Sequence, residues 1–266
     1  MAMFAMCVAS VAQTTFRYGN FIYKMYDGAE PYAWLSAPVG EVQADITVPS
    51  SVTMGGREYA VTGIADGAFG NLSGDVNINS LILPSTIRYF GENAFNSVNS
   101  CNVYITSMES WLRSTFKSGG NPIKGALYLN GAEVKTFHAP SGITSIPDYA
   151  FANCTGLLGV NLNGISSIGS GTFSGCSNIS LVTIPASIKI IGQRSFSGCT
   201  ALRSLSIAEG VEELGSGAFA DCKGLTEITI PNTVRTLGGS SFSNCVNLNK
   251  VNLGDGLQEI GDYAFA

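Results

Sequence analysis

A phenylalanine returns at a nearly constant interval through the second half of this chain. Phe151, Phe173, Phe196, Phe219, Phe242 and Phe265 are separated by 22, 23, 23, 23 and 23 residues. Around each ring the same positions are apolar. Eight and five residues before it stand aliphatic pairs such as Ile188 and Ile191, Val211 and Leu214, or Val234 and Leu237. Three residues after it is a cysteine (Cys154, Cys176, Cys199, Cys222, Cys245), and six after it Leu157, Ile179, Leu202, Leu225 or Leu248. A further inward pair follows, as in Val182 and Ile184 or Ile228 and Ile230, and Pro185 and Pro231 close two of the phrases. A unit of this length cannot bury its apolar side alone, so such units must stack, each adding one layer to a continuous core.

The phrase also predicts its local conformations. Alternation over Leu181–Ile184 and its equivalents predicts a strand with one face inward, and the proline after it, lacking an N–H, ends the ladder. Val211-Glu-Glu-Leu214 predicts a shorter extended piece on another side of the coil. Gly-rich runs such as Gly215-Ser-Gly217 turn the chain, and Ala218–Cys222 is expected to form one helical or 3₁₀ turn. Layers about 4.8 Å apart place the phenylalanines in a ring stack. Towards the N-terminus the template decays. Val61 and Ile64 precede Phe69, Ile87 and Phe90 precede Phe95, and Phe116 reads as a further rung with Met108 and Trp111 before it. An insertion at about 104–137 interrupts the array, and Asn130-Gly131 between alternating apolar residues predicts a two-residue hairpin. Residues 13–60 read as a small β cap and 61–266 as the solenoid. Residues 1–12 (MAMFAMCVASVA) resemble the apolar part of an export signal, incomplete because no basic flank precedes it.

Composition narrows the function. Charged residues are 12% of the chain, the net charge is −5, and 45% of residues are apolar. This excludes a disordered polyelectrolyte and leaves nothing to neutralise a phosphate backbone, so no nucleic-acid partner is expected. No apolar run is long enough for a membrane span. The single histidine, His138, cannot form a two-histidine metal site and reads as a polar residue on a strand face. The cysteine row is expected to hold buried free thiols. Equivalent cysteines in stacked layers have parallel Cβ bonds, poor for disulfides, and they lack the close pairs of zinc sites. The Gly-rich strings are turns, not phosphate loops, because no strand–loop–long-helix context follows. Neither a catalytic constellation nor a cofactor is expected.

The phrase Ile-x-x-Ile-Gly-x-x-Ala-Phe-x-x-Cys-x-x-Leu-x-x-Val-x-Ile-Pro resembles the BspA-like leucine-rich repeat proteins, common among bacterial surface proteins. The resemblance covers roughly 61–266, and Val48-Pro-Ser-Ser-Val52 onward looks like their entry segment. It implies a leucine-rich repeat solenoid: mostly β with short helical or 3₁₀ turns, a period of about 23 residues, and a small N-terminal β cap. It also implies a secreted or surface-displayed adhesin or ligand-binding module without catalytic residues. The template stops in mid-phrase at Phe265-Ala266, which leads to the expectation of a longer parent protein.

On each strand the residue between two inward ones points outward. That row is Asn161, Thr183, Ser206, Thr229 and Asn252; its neighbour row includes Gly159, Leu181, Ser204, Glu227 and Lys250, with Arg203 beside it. Such a neutral, hydroxyl- and amide-rich sheet either solvates the molecule or binds an extended extracellular protein or glycan. The insertion, with Tyr104, Trp111, Phe116, Tyr128 and Phe137, is the alternative contact surface. The leading functional reading is adhesion, and the alternative is a cell-envelope spacer or scaffold within a longer protein.

Overall fold

The computed structural model describes residues 14–70, 72 and 76–266. The segment 1–12 read above as resembling an export signal, with Cys7, lies outside them. The described chain is a stack of coils in which equivalent short strands pair in parallel. The aliphatic pair before each phenylalanine forms one such ladder. Ser145–Ile146, Ser167–Ile168, Ile190–Ile191, Glu213–Leu214, Thr236–Leu237 and Glu259–Ile260 make a six-stranded parallel sheet. The longer phrase forms the other ladder, with Thr136–His138, Gly159–Asn161, Leu181–Ile184 and Ser204–Ile207 in one sheet and Glu227–Thr229 with Lys250–Asn252 in another.

The first coil is covered by an antiparallel meander, Thr14–Tyr18, Phe21–Tyr26 and Tyr32–Pro38. Its third strand runs parallel to Arg57–Ile64, which closes a hairpin with Ser51–Met54 across Gly55-Gly56. Tyr23, Met25, Ala33 and Leu35 turn inward and are buried, so the meander seals the apolar end of the stack.

Between the ladders the chain turns at the phenylalanine without forming a helix. The residue two before the ring has positive φ in every coil from Phe69 to Phe265: Gly67, Asn93, Tyr149, Gly171, Arg194, Gly217, Ser240 and Tyr263. From Asn153 on, the residue two after it does so as well, in Asn153, Gly175, Gly198, Asp221 and Asn244. These left-handed residues stop each i→i+3 turn from propagating. Alternate amides then point different ways. Ala218, Ala220 and Cys222 donate three residues back within their own coil, whereas Gly217, Phe219 and Asp221 donate to Gly239, Ser241 and Ser243 of the next. The buried backbone is thereby satisfied in two directions.

The rings stack as the period predicts. Consecutive centroids from Phe151 to Phe265 are 5.2–5.5 Å apart, with interplanar angles of 3–19°. Phe69 and Phe95 form a separate stacked pair at 5.1 Å. Phe116 is not the next rung. It lies in the strand Thr115–Phe116, in register with Phe90 and, through it, Ile64, and so occupies the aliphatic column five residues before the ring. The ring position itself falls to Asn121, two residues after the positive-φ Gly119 and 3% exposed. Asn121 Nδ2 donates to Tyr149 O at 2.5 Å and its Oδ1 accepts from Ile123 N at 2.7 Å. A satisfied buried amide thus stands between the two ring stacks.

Candidate functional site

The outward strand row is built by the sheet's alternation. Asn161, Thr183 and Ser206 follow one another across neighbouring strands, with Thr183 in direct register with Ser206. Thr229 and Asn252 are in register in the two-stranded sheet that continues the face, and Asn252 Nδ2 donates to Thr229 Oγ1 at 3.2 Å. Glu227 and Lys250 are also opposite each other and form an exposed ion pair at 3.1 Å; such a pair contributes at most about 1 kcal/mol. Arg203 is exposed, one residue before its strand begins.

The structure separates these residues by availability. Thr183 and Ser206 are exposed, and no described side chain bonds them. Asn161 is half-buried and its Oδ1 accepts from Asn163 N at 3.0 Å, so it shapes its own turn. Two further strand residues complete the face. His138 is in register with Asn161 and opens the row. Leu181, 54% exposed and in register with Ser204, adds an apolar spot.

The aromatic residues of the insertion divide between core and surface. Trp111, Phe116 and Phe137 are buried in the core, because the ring column lacks a phenylalanine here and they fill its surroundings. Trp111, on the single turn of helix Met108–Leu112, donates from Nε1 to Ala150 O at 3.0 Å. Tyr104 and Tyr128 remain at the surface, stacked at 4.4 Å. They stand in register with Ile82, 43% exposed, and Thr47 on the N-terminal sheet formed by Asp45–Thr47, Val76–Ile82, Val98–Ile105 and Leu127–Leu129. The Asn130-Gly131 hairpin pairs Ala132–Glu133 onto the edge of that sheet. The outward face therefore has an aromatic N-terminal section and a polar C-terminal section, divided by the hairpin. Flanking Val103 and Ile105, or Leu127 and Leu129, already marked both tyrosines as outward in the sequence.

Among the described residues no group of three or more His, Cys, Asp or Glu side chains is placed to hold a metal ion. No helix among them is long and apolar enough to cross a membrane.

Parallel ladders, a period near 23 residues and an inward ring column define a leucine-rich β-solenoid. The chain belongs to the family of the BspA type Leucine rich repeat region, whose pattern matches in six copies over residues 46–162, 121–223 and 213–266. Among solved structures it is similar to a leucine rich cell surface protein of Faecalibacterium prausnitzii, at 25% identity and a TM-score of 0.51, over 92% of this chain and 56% of that one. The chain thus spans little more than half the length of that protein. It is also similar to leucine-rich repeat proteins of T. pallidum (23% identity, TM-score 0.44, 86% and 88% of the two chains) and Eubacterium ventriosum (16%, 0.48, 96% and 95%). No curated protein matches the chain.

Proposed function

We propose that this protein is a non-catalytic recognition module, secreted or displayed on the cell surface, that binds an extended protein or glycan along its strand face. The observation that carries the reading is the row His138, Asn161, Thr183 and Ser206, continued by Thr229 and Asn252. It presents polar groups one coil apart along a rigid sheet. A periodic, nearly uncharged surface suits a ligand that is itself extended and repeating, since each coil can repeat the contact of the last. The family and the surface location of the F. prausnitzii protein support display outside the cell. The spacer reading draws its support from the greater length of that same protein.

The test is a binding screen of the purified chain against immobilised mucin, matrix proteins and a glycan array. The double variant Thr183→Lys, Ser206→Lys should abolish capture without changing thermal unfolding, because both side chains are exposed. Capture that survives the double variant, or no capture of any class of ligand by the unmodified chain, would overturn the reading.

A further inference from the structure

A cavity of about 240 Å³ opens on the turn side of the coils, lined from residues 118–124, 149–153, 170–174 and 193–194. It arises from the positive-φ column two residues before the ring. Side chains in this column lean over the next coil. A methyl built at Gly171 would lie 2.6 Å from the Tyr149 ring, and one at Gly217 3.1 Å from Arg194 Cγ. A coil with glycine in the column has no side chain to lay over its successor. Gly119 leaves such a gap beside Tyr149 and Gly171 leaves one beside Arg194, and all four residues line the cavity.

The lining is chemically one-sided. Its charged residues are Lys124 and Arg194, the latter exposed at the rim with Cγ and Nε over Gly217 of the next coil, and no carboxylate is among them. Neither cation makes an ion pair or a side-chain hydrogen bond with a described residue. Lys124 is half-buried, and burial draws its ammonium below the usual lysine pKa, with Cys101 opposing the shift weakly. A cation withdrawn from water without a counterion is stabilised by an anion that enters beside it. The remaining lining offers hydroxyls and amides from Ser118, Ser170, Ser174, Asn153 and Gln193. The left-handed backbone amides that elsewhere cradle phosphate are occupied here: Tyr149, Gly171 and Arg194 donate to Ser170 O, Gln193 O and Ser216 O.

We propose that this cavity binds a carboxylated monosaccharide unit, its carboxylate drawn to Lys124 and Arg194 and its hydroxyls to the neutral lining. The volume lies below the range of about 300–1,000 Å³ for drug-sized ligands, so it suits one sugar ring. The site is separate from the strand face and does not depend on the reading given to that face.

The experiment titrates glucuronate, N-acetylneuraminate, glucose and inorganic phosphate into the full chain by NMR, up to about 10 mM, the regime of weak single-ring affinities. At least one acidic sugar should bind at least about tenfold more tightly than glucose, the factor that corresponds to ~1.4 kcal/mol. Lys124→Met and Arg194→Gly, the latter keeping a residue suited to positive φ, should each weaken that binding by a similar factor. Val246→Ala, exposed and outside both surfaces, should leave it unchanged. Equal binding of glucose, tighter binding of phosphate, no binding of either acidic sugar, or insensitivity to Lys124→Met would each overturn the proposal. Should Arg194→Gly unfold the chain, Lys124→Met carries the test alone.

Discussion

The thiol of Cys176 donates to the carbonyl oxygen of Phe151, one coil earlier, at 3.1 Å. The contact repeats from Cys199 to Phe173 at 3.5 Å, Cys222 to Phe196 at 3.4 Å and Cys245 to Phe219 at 3.2 Å. All six described cysteines are free and buried. Each thiol of the ladder thus adds a second donor, from the next coil, to a carbonyl that already accepts the cysteine amide of its own turn. Burial pushes Cys154 and Cys245 up to about 11 and Cys101 and Cys199 up to about 12, and raises Cys176 and Cys222 as well. Thiolate is the reactive form. In a Cys7→Ser variant, the folded protein should therefore resist a thiol-specific reagent at pH 8 and expose six reactive thiols in denaturant. Rapid labelling of the folded chain would contradict the ladder.

The same thiols set an alkaline limit. An unfolded cysteine ionises near its ordinary value of about 8.5, whereas the folded ones hold their protons to about 11–12. Between those values the unfolded state binds fewer protons, so unfolding free energy falls as pH rises. Stability to urea should be flat with respect to these groups below about pH 8 and decline through pH 9–11. Substituting Cys199 and Cys222 together by Ala should make the decline shallower, a change that urea titrations at pH 7 and pH 10 would measure.

Ser195 and Ser241 occupy the position just before the ring, where Ala94, Ala150, Ala218 and Ala264 stand in other coils. Both hydroxyls are buried without a hydrogen-bond partner. Ser195→Ala and Ser241→Ala should each be neutral or stabilising, because the substitution removes an unsatisfied group. Thr172, at the same position, donates to Gly169 O at 2.8 Å and lies 3.1 Å from Pro147 O. Thr172→Ala should lower the unfolding free energy by about 1 kcal/mol for the lost hydrogen bond, read in denaturant titrations. Equal effects of the three changes would refute this reading.

Phe219 has a stacked ring on each side and is fully buried, whereas Phe265 is stacked on one side and 40% exposed. Phe219→Ala should cost about 3–5 kcal/mol, and Phe265→Ala clearly less. Since each coil touches its neighbours alone, hydrogen exchange in Phe219→Ala should accelerate in the coils around it and leave the N-terminal meander protected. Uniform acceleration over the whole chain would count against nearest-neighbour stacking.

Much of the architecture was legible in linear spacing, because each unit meets a copy of itself. The ring column, the cysteine row and the inward strand positions follow from one period, and Asn130-Gly131, with φ of 51° and 82°, marks its hairpin directly. Phe116 was not legible. Met108 and Trp111 stand at the offsets of a true rung, and nothing local shows that Trp111 is needed at Ala150 O. Nor does the sequence mark Tyr149, Arg194 or Ser240 as left-handed, since glycine, and less strongly asparagine and aspartate, are the residues that advertise that conformation. In the candidate site, alternation identified the outward residues. It did not show that Asn161 is engaged by its own turn or that Tyr104 and Tyr128 stack.

The sequence by itself determined the solenoid: a short apolar period that no single unit can bury leaves stacking as its solution. The tertiary structure decided where the stack departs from its own rule. Asn121 replaces a ring, the hairpin divides the strand face, and glycines at 119 and 171 open a cationic hollow. These outcomes depend on which groups in neighbouring coils remain to be filled or hydrogen-bonded, and that is a property of packed layers that no spacing along the chain records.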